Sequence, residues 1–324
     1  MRLLKLVPDN TNFPFVSLRK WAFGLTTLLT LAAVALVFVR PLNFGVDFAG
    51  GLMIEEKFVT PPSIDKLRTA IDQLHYGEVN LQSLGSDGKT ISIKLPLPQS
   101  TEKDATNKVV NAVQVTINKL YPDATFSKQD AVSGKVSGEL IWKGILAVVL
   151  AVLGIGLFAI FRFEWQFGVS TVVAIMHDVL MTLGFFALTQ FEFDLNIVAA
   201  VLTIIGYSIN DKIVIDDRIR ENMRRYRKME MPEIVDLSVN ETLPRTVMTS
   251  LTILLALFAL LIFGGHVLRG FTAAMILGIF VGTYSSIYVS SSLLISLGLR
   301  AEPRAEATTT AASKAERVAY KDMP

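Results

Sequence analysis

The sequence predicts a polytopic α-helical membrane protein with six transmembrane helices and one small α+β domain between helices 1 and 2. Three observations predict it. Hydrophobic residues make up 51% of the 324 and charged residues 19%, where soluble domains carry about 25% charge. The apolar residues are gathered into long uncharged runs instead of being spread along the chain. Between the first run and the second, the pattern changes to short strands and amphipathic helices in the order βαββαβ, the ferredoxin-like arrangement.

Six stretches have the roughly 20 apolar residues that cross a hydrocarbon core. They are Trp21 to Val39, Gly144 to Phe161, Phe167 to Leu188, Asn196 to Ile215, Thr246 to Phe263 and Phe271 to Leu299. The first follows Arg19 and Lys20 as a signal peptide would. Its apolar run is too long for one, and its small residues sit inside the run, so it reads as an uncleaved anchor. Basic residues near the span ends set the orientation. Arg2, Lys5, Arg19 and Lys20 precede the first span, and Arg218, Arg220, Arg224, Arg225, Arg227, Lys228 and Arg245 fill a connector at 216–245. The hairpin between spans three and four has Glu192 and Asp194 and no cation. Both termini and the 216–245 loop are therefore expected in the cytoplasm, with 40–140 exported, 141–299 holding spans two to six, and 300–324 a disordered tail. The organisation fits an inner membrane.

Within the exported region, Leu52 to Phe58, Glu78 to Leu84, Thr90 to Leu95 and Ala124 to Ala131 read as strands. Ile64 to Leu74 and Lys103 to Leu120 read as helices. No His, Asp and Glu cluster has metal spacing and no nucleophile motif occurs, so no cofactor, metal or enzymatic chemistry is expected; His75 reads as a surface residue. A net charge of +2 is too small to point to nucleic acid, and the absence of cysteine excludes disulfides.

Ionisable side chains inside spans cost about 3 kcal/mol each on insertion scales and usually face the bundle interior or a water path. Asp178 lies near the middle of span three. His177 precedes it and is expected to point about 100° away around the helix. Asp211 lies in span four, with Tyr207 and Ser208 about one turn back as hydroxyl partners. Arg245 opens span five, with Thr249 and Thr252 on its face. A carboxylate near a guanidinium in a semi-dry bundle is balanced between desolvation and attraction, which is what a proton relay needs. The competing reading is a structural ion pair with Arg245 snorkelling. Three ionisable groups embedded in apolar helices favour the relay. Lys212, beside Asp211, reads either as a second partner or as a residue snorkelling to the cytoplasm. Gly278, Gly282, Ser285, Ser286 and Ser290 run through span six, and the Gly-x-x-x-Gly spacing permits close helix contact.

At these residues the chain resembles the SecF branch of the SecD/SecF family of the bacterial Sec export machinery, within the RND superfamily. The exported domain is entered through Phe44-Gly-Val-Asp-Phe-Ala-Gly-Gly51. Span three has His177-Asp178-Val179, and span four reads Ile205-Gly-Tyr-Ser-Ile-Asn-Asp-Lys-Ile-Val-Ile-Asp-Asp-Arg-Ile-Arg-Glu-Asn222. Span five begins Arg245-Thr-Val-Met-Thr-Ser250, and span six includes Gly282-Thr-Tyr-Ser-Ser-Ile-Tyr288. The resemblance implies a subunit that uses the proton-motive force to promote preprotein translocation and release on the periplasmic side. Its implied partners are the SecD subunit, the Sec translocon channel and an unfolded preprotein. Asp211 and Arg245 fall on positions of the family's proton path and Asp178 on its span-three aspartate, with His177, Ser208 and Thr249 as candidate relay support. Lys212 departs from the small polar residue frequent there. The alternative within the superfamily is a proton-driven exporter of small molecules or lipids, although such exporters usually have twelve spans. Half that number implies a second six-span bundle, and spans three and four are expected to face it through Ile204 and Tyr207.

Overall fold

The computed structural model describes residues 8, 11–77, 79–85, 87–98, 105–265 and 268–299. The 300–324 tail, Arg2, Lys5, Glu78 and Lys103 lie outside them. Among the described residues, six helices are long and apolar enough to cross a membrane. They are α1 (Arg19–Val39), α5 (Gly134–Arg162), α6 (Trp165–Thr189), α7 (Leu195–Arg225), α8 (Met231–Phe263) and a composite helix. The last consists of α9 (Arg269–Tyr284), a π-helical segment (Ser285–Ser290) and α10 (Ser291–Ser296). Helices α6, α7 and α9 form an inner layer, and α1, α5 and α8 flank it with apolar side chains such as Leu28, Leu153 and Leu255 turned outward.

The connector expected as a loop at 216–245 is mostly helix: α7 runs on to Arg225, α8 starts at Met231, and only residues 226–230 turn. Hydropathy ends a span where charge begins, but a helix continues wherever its apolar face still finds a partner. Here Ile215, Ile219 and Met223 of α7 pack against Ile234, Val235 and Val239 of α8. Arg218 Nε and Asn222 Nδ2 both donate to Glu241 Oε2 at 2.7 Å, fastening the two extensions together.

Between α1 and α5 lie a short helix, α2 (Val46–Ala49), and the α+β domain. Its strands are β1 (Gly51–Lys57), β2 (Asn80–Leu84), β3 (Thr90–Leu95) and β4 (Thr125–Val132), with α3 (Ile64–Asp72) and α4 (Ala105–Leu120) as crossovers. The sheet order is β2–β3–β1–β4 with every neighbouring pair antiparallel, as the βαββαβ reading requires. Alternation puts Leu52 and Ile54 of β1 and Ile91 and Ile93 of β3 on one face. There they close over Leu67 and Ile71 of α3 and Val109, Val113 and Ile117 of α4.

The domain is docked on the α6–α7 hairpin. Gly45 N donates to Phe193 O at 2.9 Å and Phe193 N to Asn43 O at 2.8 Å, so one short bridge joins the domain entry to the hairpin. Phe44, Phe48 and Phe186 surround the Phe193 ring at centroid distances of 5.4–6.1 Å. Asp47 Oδ2 accepts from Leu195 N at 3.1 Å, and Asp194 Oδ1 accepts from Ile197 N at 3.1 Å, so two carboxylates hold the first turn of α7. Gly50 and Gly51 have φ of +72° and +119°, and a Cβ on Gly51 would sit 2.7 Å from Leu95 O, so the turn into β1 accepts only glycine there.

Glu56 is the exception in the domain core. It shares the β1 face of Leu52 and Ile54, is 2% exposed, and burial pushes its carboxyl up to about 7 from an ordinary 4.5. A carboxyl whose folded pKa is raised favours the fold while protonated. That contribution is whole below pH 4.5 and is lost as pH rises through 7. Glu56→Gln should therefore leave thermal unfolding of the full chain unchanged below pH 4.5 and raise stability by about 3 kcal/mol above pH 7. A difference that does not vary with pH would contradict this account.

Candidate functional site

The polar residues of the inner layer lie on two faces of α7. Ser208, Lys212 and Asp216 recur at four-residue steps and look toward α6 and the π-helical segment. Tyr207 and Asp211, also four apart, look toward α8. Each face has its own carboxylates and its own chemistry.

On the first face, Asp178 of α6 is 1% exposed and held by three side chains. Ser208 Oγ and Ser285 Oγ donate to its Oδ2 at 2.6 and 3.0 Å, and His177 Nδ1 lies 3.0 Å from its Oδ1. His177 thus bends back to its neighbour instead of pointing away, because both are buried and a carboxylate in a dry interior takes every available donor. Toward the other end of the bundle, Lys212 Nζ lies 3.3 Å from Asp216 Oδ2 and 3.1 Å from Ser170 Oγ, which in turn accepts from Ser290 Oγ at 3.3 Å. The Lys212 and Asp216 side chains are each only 2% exposed. Removing one member of such a buried pair strands the other charge and costs about 3–5 kcal/mol. Asp216 Oδ1 has no hydrogen-bond partner.

Close packing makes these contacts possible. A Cβ on Gly278 would stand 2.4 Å from Ile204 Cγ1, and one on Gly282 would stand 3.1 Å from Ser208 Cβ. Helix α9 therefore approaches α7 closely enough for serines to reach Asp178. The wider π turn that follows brings Ser285 and Ser290 to bear on Asp178 and Ser170, and single π turns often mark functional positions.

On the second face, Asp211 is 3% exposed and its Oδ2 has no partner. Tyr207 Oη and Ser250 Oγ are 2.9 Å apart, and Ser250 Oγ lies 3.1 Å from Thr283 Oγ1, a short polar chain across α7, α8 and α9. Arg245 lies on the exposed side of α8, within electrostatic reach of Asp211 but not joined to it by an ion pair within 4.0 Å. Thr249 Oγ1 donates to Arg245 O and Thr246 O of its own helix, both at 3.0 Å.

The fold thus brings Asp178, His177 and Ser208 together and sets Asp211 and Arg245 near one another, unpaired. Ser208 serves Asp178, not Asp211 as expected, because its position faces α6. Lys212 does not snorkel; it is enclosed. Asp216 escaped notice because hydropathy ended the span at Ile215. The four-residue recurrence of Ser208, Lys212 and Asp216 was the available signal. Ile204, expected to face a partner bundle, is 2% exposed and lies against the bare backbone of Gly278. The outward stripe of α7 is instead Ala199, Thr203, Gly206 and Asn210.

Fold and site together define an integral membrane protein whose helices carry a sealed polar seam and whose α+β domain is fastened to the seam's central helix. The model for "Protein export membrane protein SecD/SecF, C-terminal" matches residues 112–300, and that for the SecD/SecF GG motif matches residues 35–60. Protein translocase subunit SecF of Rhodobacter capsulatus is 42% identical over 306 residues, covering 91% of this chain and 92% of that one. The Rickettsia felis subunit is 39% identical over 292 residues, covering 90% and 94%. The crystal structure of SecDF, a translocon-associated membrane protein from Thermus thermophilus, superposes with a TM-score of 0.82 at 36% identity, covering 90% of this chain. A SecDF structure in a super-membrane-facing form gives 0.65 at 33% identity and 96% coverage. This chain spans 40% of the length of each SecDF chain. The chain belongs to the SecD/SecF family of protein export membrane proteins, and the relatives it matches along nearly their whole length are SecF translocase subunits.

Gly278→Leu should force α9 off α7, part Ser285 from Asp178, and lower stability by about 1–3 kcal/mol or prevent assembly. Gly154→Leu on α5, where a Cβ meets nothing within 4 Å, should be neutral. Thermal melts of the purified chain read both; equal losses would mean that the close approach of α9 to α7 carries no special weight.

Proposed function

We propose that this chain is the SecF-type half of a heteromeric export motor. Paired with a SecD subunit beside the Sec translocon channel, it uses the proton-motive force to draw an unfolded preprotein across the inner membrane and release it on the periplasmic side. It acts as a transport subunit and not as an enzyme. The α+β domain is exported, and both termini and the 226–230 turn are cytoplasmic. Asp211, Arg245 and Asp178 carry the proton relay, with His177, Ser208 and Thr249 in support.

One observation carries this reading. Asp211 is buried with an unpartnered carboxylate oxygen on the helix whose first turn is held by Asp47, at the entry of the exported domain. From Leu195 to Asp211 is about 24 Å along one unbroken α-helix. A proton arriving at Asp211 removes its attraction for Arg245 and changes the force on α7, and the rigid helix passes that change to the Phe193 bridge. One elementary charge crossing about 100 mV supplies about 2.3 kcal/mol, enough to shift a two-state equilibrium roughly fifty-fold. The outward stripe of Ala199, Thr203, Gly206 and Asn210 supports a protein neighbour, since Asn210 is costly against lipid and small residues admit a second helix. A SecDF chain of which this one spans 40% has length for that neighbour.

Asp211→Asn should abolish most proton-dependent export while leaving the protein inserted and stable, because the amide keeps the shape and loses the titrating charge. Arg245→Lys should retain part of the activity and Arg245→Met very little, since a guanidinium is charged at every relevant pH and forks onto a carboxylate. Export rates with and without a proton gradient measure both; wild-type rates for Asp211→Asn and Arg245→Met would remove the relay.

The chain has no cysteine, so single cysteines report cleanly on the partner. Cysteines at Thr203, Gly206 or Asn210 should crosslink to the SecD subunit or be shielded by it from lipid-phase reagents. A cysteine at Ile204 should remain unreactive with or without the partner. Labelling of the Thr203 and Asn210 positions at lipid-exposed rates within the complex would exclude a partner on this face.

A further inference from the structure

Lys212 has no place in the Asp211–Arg245 relay, yet it is among the most deeply enclosed side chains of the protein. Two carboxyl groups neighbour it: Asp216 of its own helix, and Asp178 of α6, which is held by Ser208 one turn before the lysine on the same face. The other groups on this face are His177, already engaged with Asp178, and the hydroxyls of Ser170, Ser208, Ser285 and Ser290. Asp211, Tyr207 and Arg245 belong to the other face. Two carboxyls therefore share one ammonium in an interior that does not tolerate a surplus charge, so a proton is needed at whichever carboxyl the ammonium leaves, on its own oxygen or, for Asp178, on His177 beside it.

The two carboxyls are built differently. Asp178 accepts from two serines on Oδ2 and has His177 Nδ1 3.0 Å from Oδ1, a ring nitrogen that donates to the carboxylate or accepts the carboxyl's O–H according to its tautomer, and it has no contact with the lysine; among the described residues Asp216 has Lys212 on Oδ2 and nothing on Oδ1. A lysine stem is flexible and its head is a compact charge that turns readily between acceptors. We propose that Lys212 is a movable counter-ion that alternates between Asp216 and Asp178 and so passes a proton along the α6–α7 interface, inside this chain. In the arrangement seen here the ammonium lies on Asp216. A proton binding Asp178 as an O–H keeps it there. When the ammonium moves to Asp178 that proton leaves, and Asp216 takes up another on Oδ1. Each proton bound at one carboxyl is matched by one released at the other, and the lysine keeps its own three protons throughout.

This rests on the proton-coupled reading above, and the test separates the two. The complex, purified from native membranes through this chain, is reconstituted in vesicles, and proton flux under an imposed pH gradient is measured for the wild type, Asp211→Asn, and the double variant Lys212→Met/Asp216→Leu. Replacing both members of a buried pair with apolar side chains usually preserves stability, so a merely structural pair predicts wild-type assembly and flux in the double variant. The movable counter-ion predicts wild-type assembly with flux reduced at least ten-fold. Normal flux in the double variant, with flux lost in Asp211→Asn, overturns the lysine proposal and leaves the relay standing. Flux that does not depend on Asp211 overturns the relay and the lysine proposal with it. Should the double variant fail to assemble, infrared spectra of the wild type and the isosteric Asp216→Asn decide. The pH-difference spectrum of the wild type must contain a protonated-carboxyl band that Asp216→Asn lacks, and its absence refutes the proposal.

Discussion

An ammonium group sealed from water governs the inner layer. With Lys212 at 1% exposure, every element around it is arranged to supply oxygen. Asp216 follows one turn along the same helix, Ser170 comes from α6, and Ser290 backs Ser170 from the π-helical segment. The interior of a bilayer offers no solvent to repair a missing partner, so these groups must be delivered by the fold, and delivery requires that α9 lie almost on the backbone of α7. Gly278 and Gly282 allow it. The extra residue in the π turn then aims serines at two sites that a regular helix would leave on different faces.

The polar groups divide by where their partners come from. Asp178, Lys212 and the serines are satisfied within the chain. Asp211 Oδ2, the exposed Arg245 and the outward Asn210 are not. The first set ties α6, α7 and the composite helix together; the second lies on and just under one side of the bundle. The division runs along a single helix, with the two faces of α7 about a quarter-turn apart. The two carboxylates that hold the first turn of α7 lie on the domain side of the bundle, so the helix that bears both charge sets is also the one gripped by the domain.

Much of this was legible in the sequence. The six spans, the βαββαβ order and the inward placement of Asp178 and Asp211 follow from hydropathy, alternation and the cost of charge in lipid, which are local properties. What was not legible depends on which faces of helices meet. The 216–245 connector is charged on one side and apolar on the other, and only the packing of Ile219 against Val235 decides for helix. The partner of Ser208 could not be assigned without knowing that its face looks to α6. Ile204, as apolar as any lipid-facing residue, is buried because its neighbour is a glycine on a different helix. Asp216 was hidden because the apolar run was ended at Ile215, where the charged stretch Asp216-Asp217-Arg218 begins.

The turns linking the central helices also restrict how the bundle can move. Residues 163–164 join α5 to α6, 190–194 join α6 to α7, and 226–230 join α7 to α8. Connections this short at alternating ends leave little slack along the helix axes, and the Arg218–Glu241 and Asn222–Glu241 contacts remove more of it on one side. A piston stroke of α7 past α6 and α8 is thereby blocked at both ends. Rocking, in which neighbouring helices change tilt about the close Gly278–Ile204 crossing as a fulcrum, stretches none of the three turns. The short turns therefore favour a change of tilt over a slide of α7, and a domain pinned at Phe193 would swing with such a tilt.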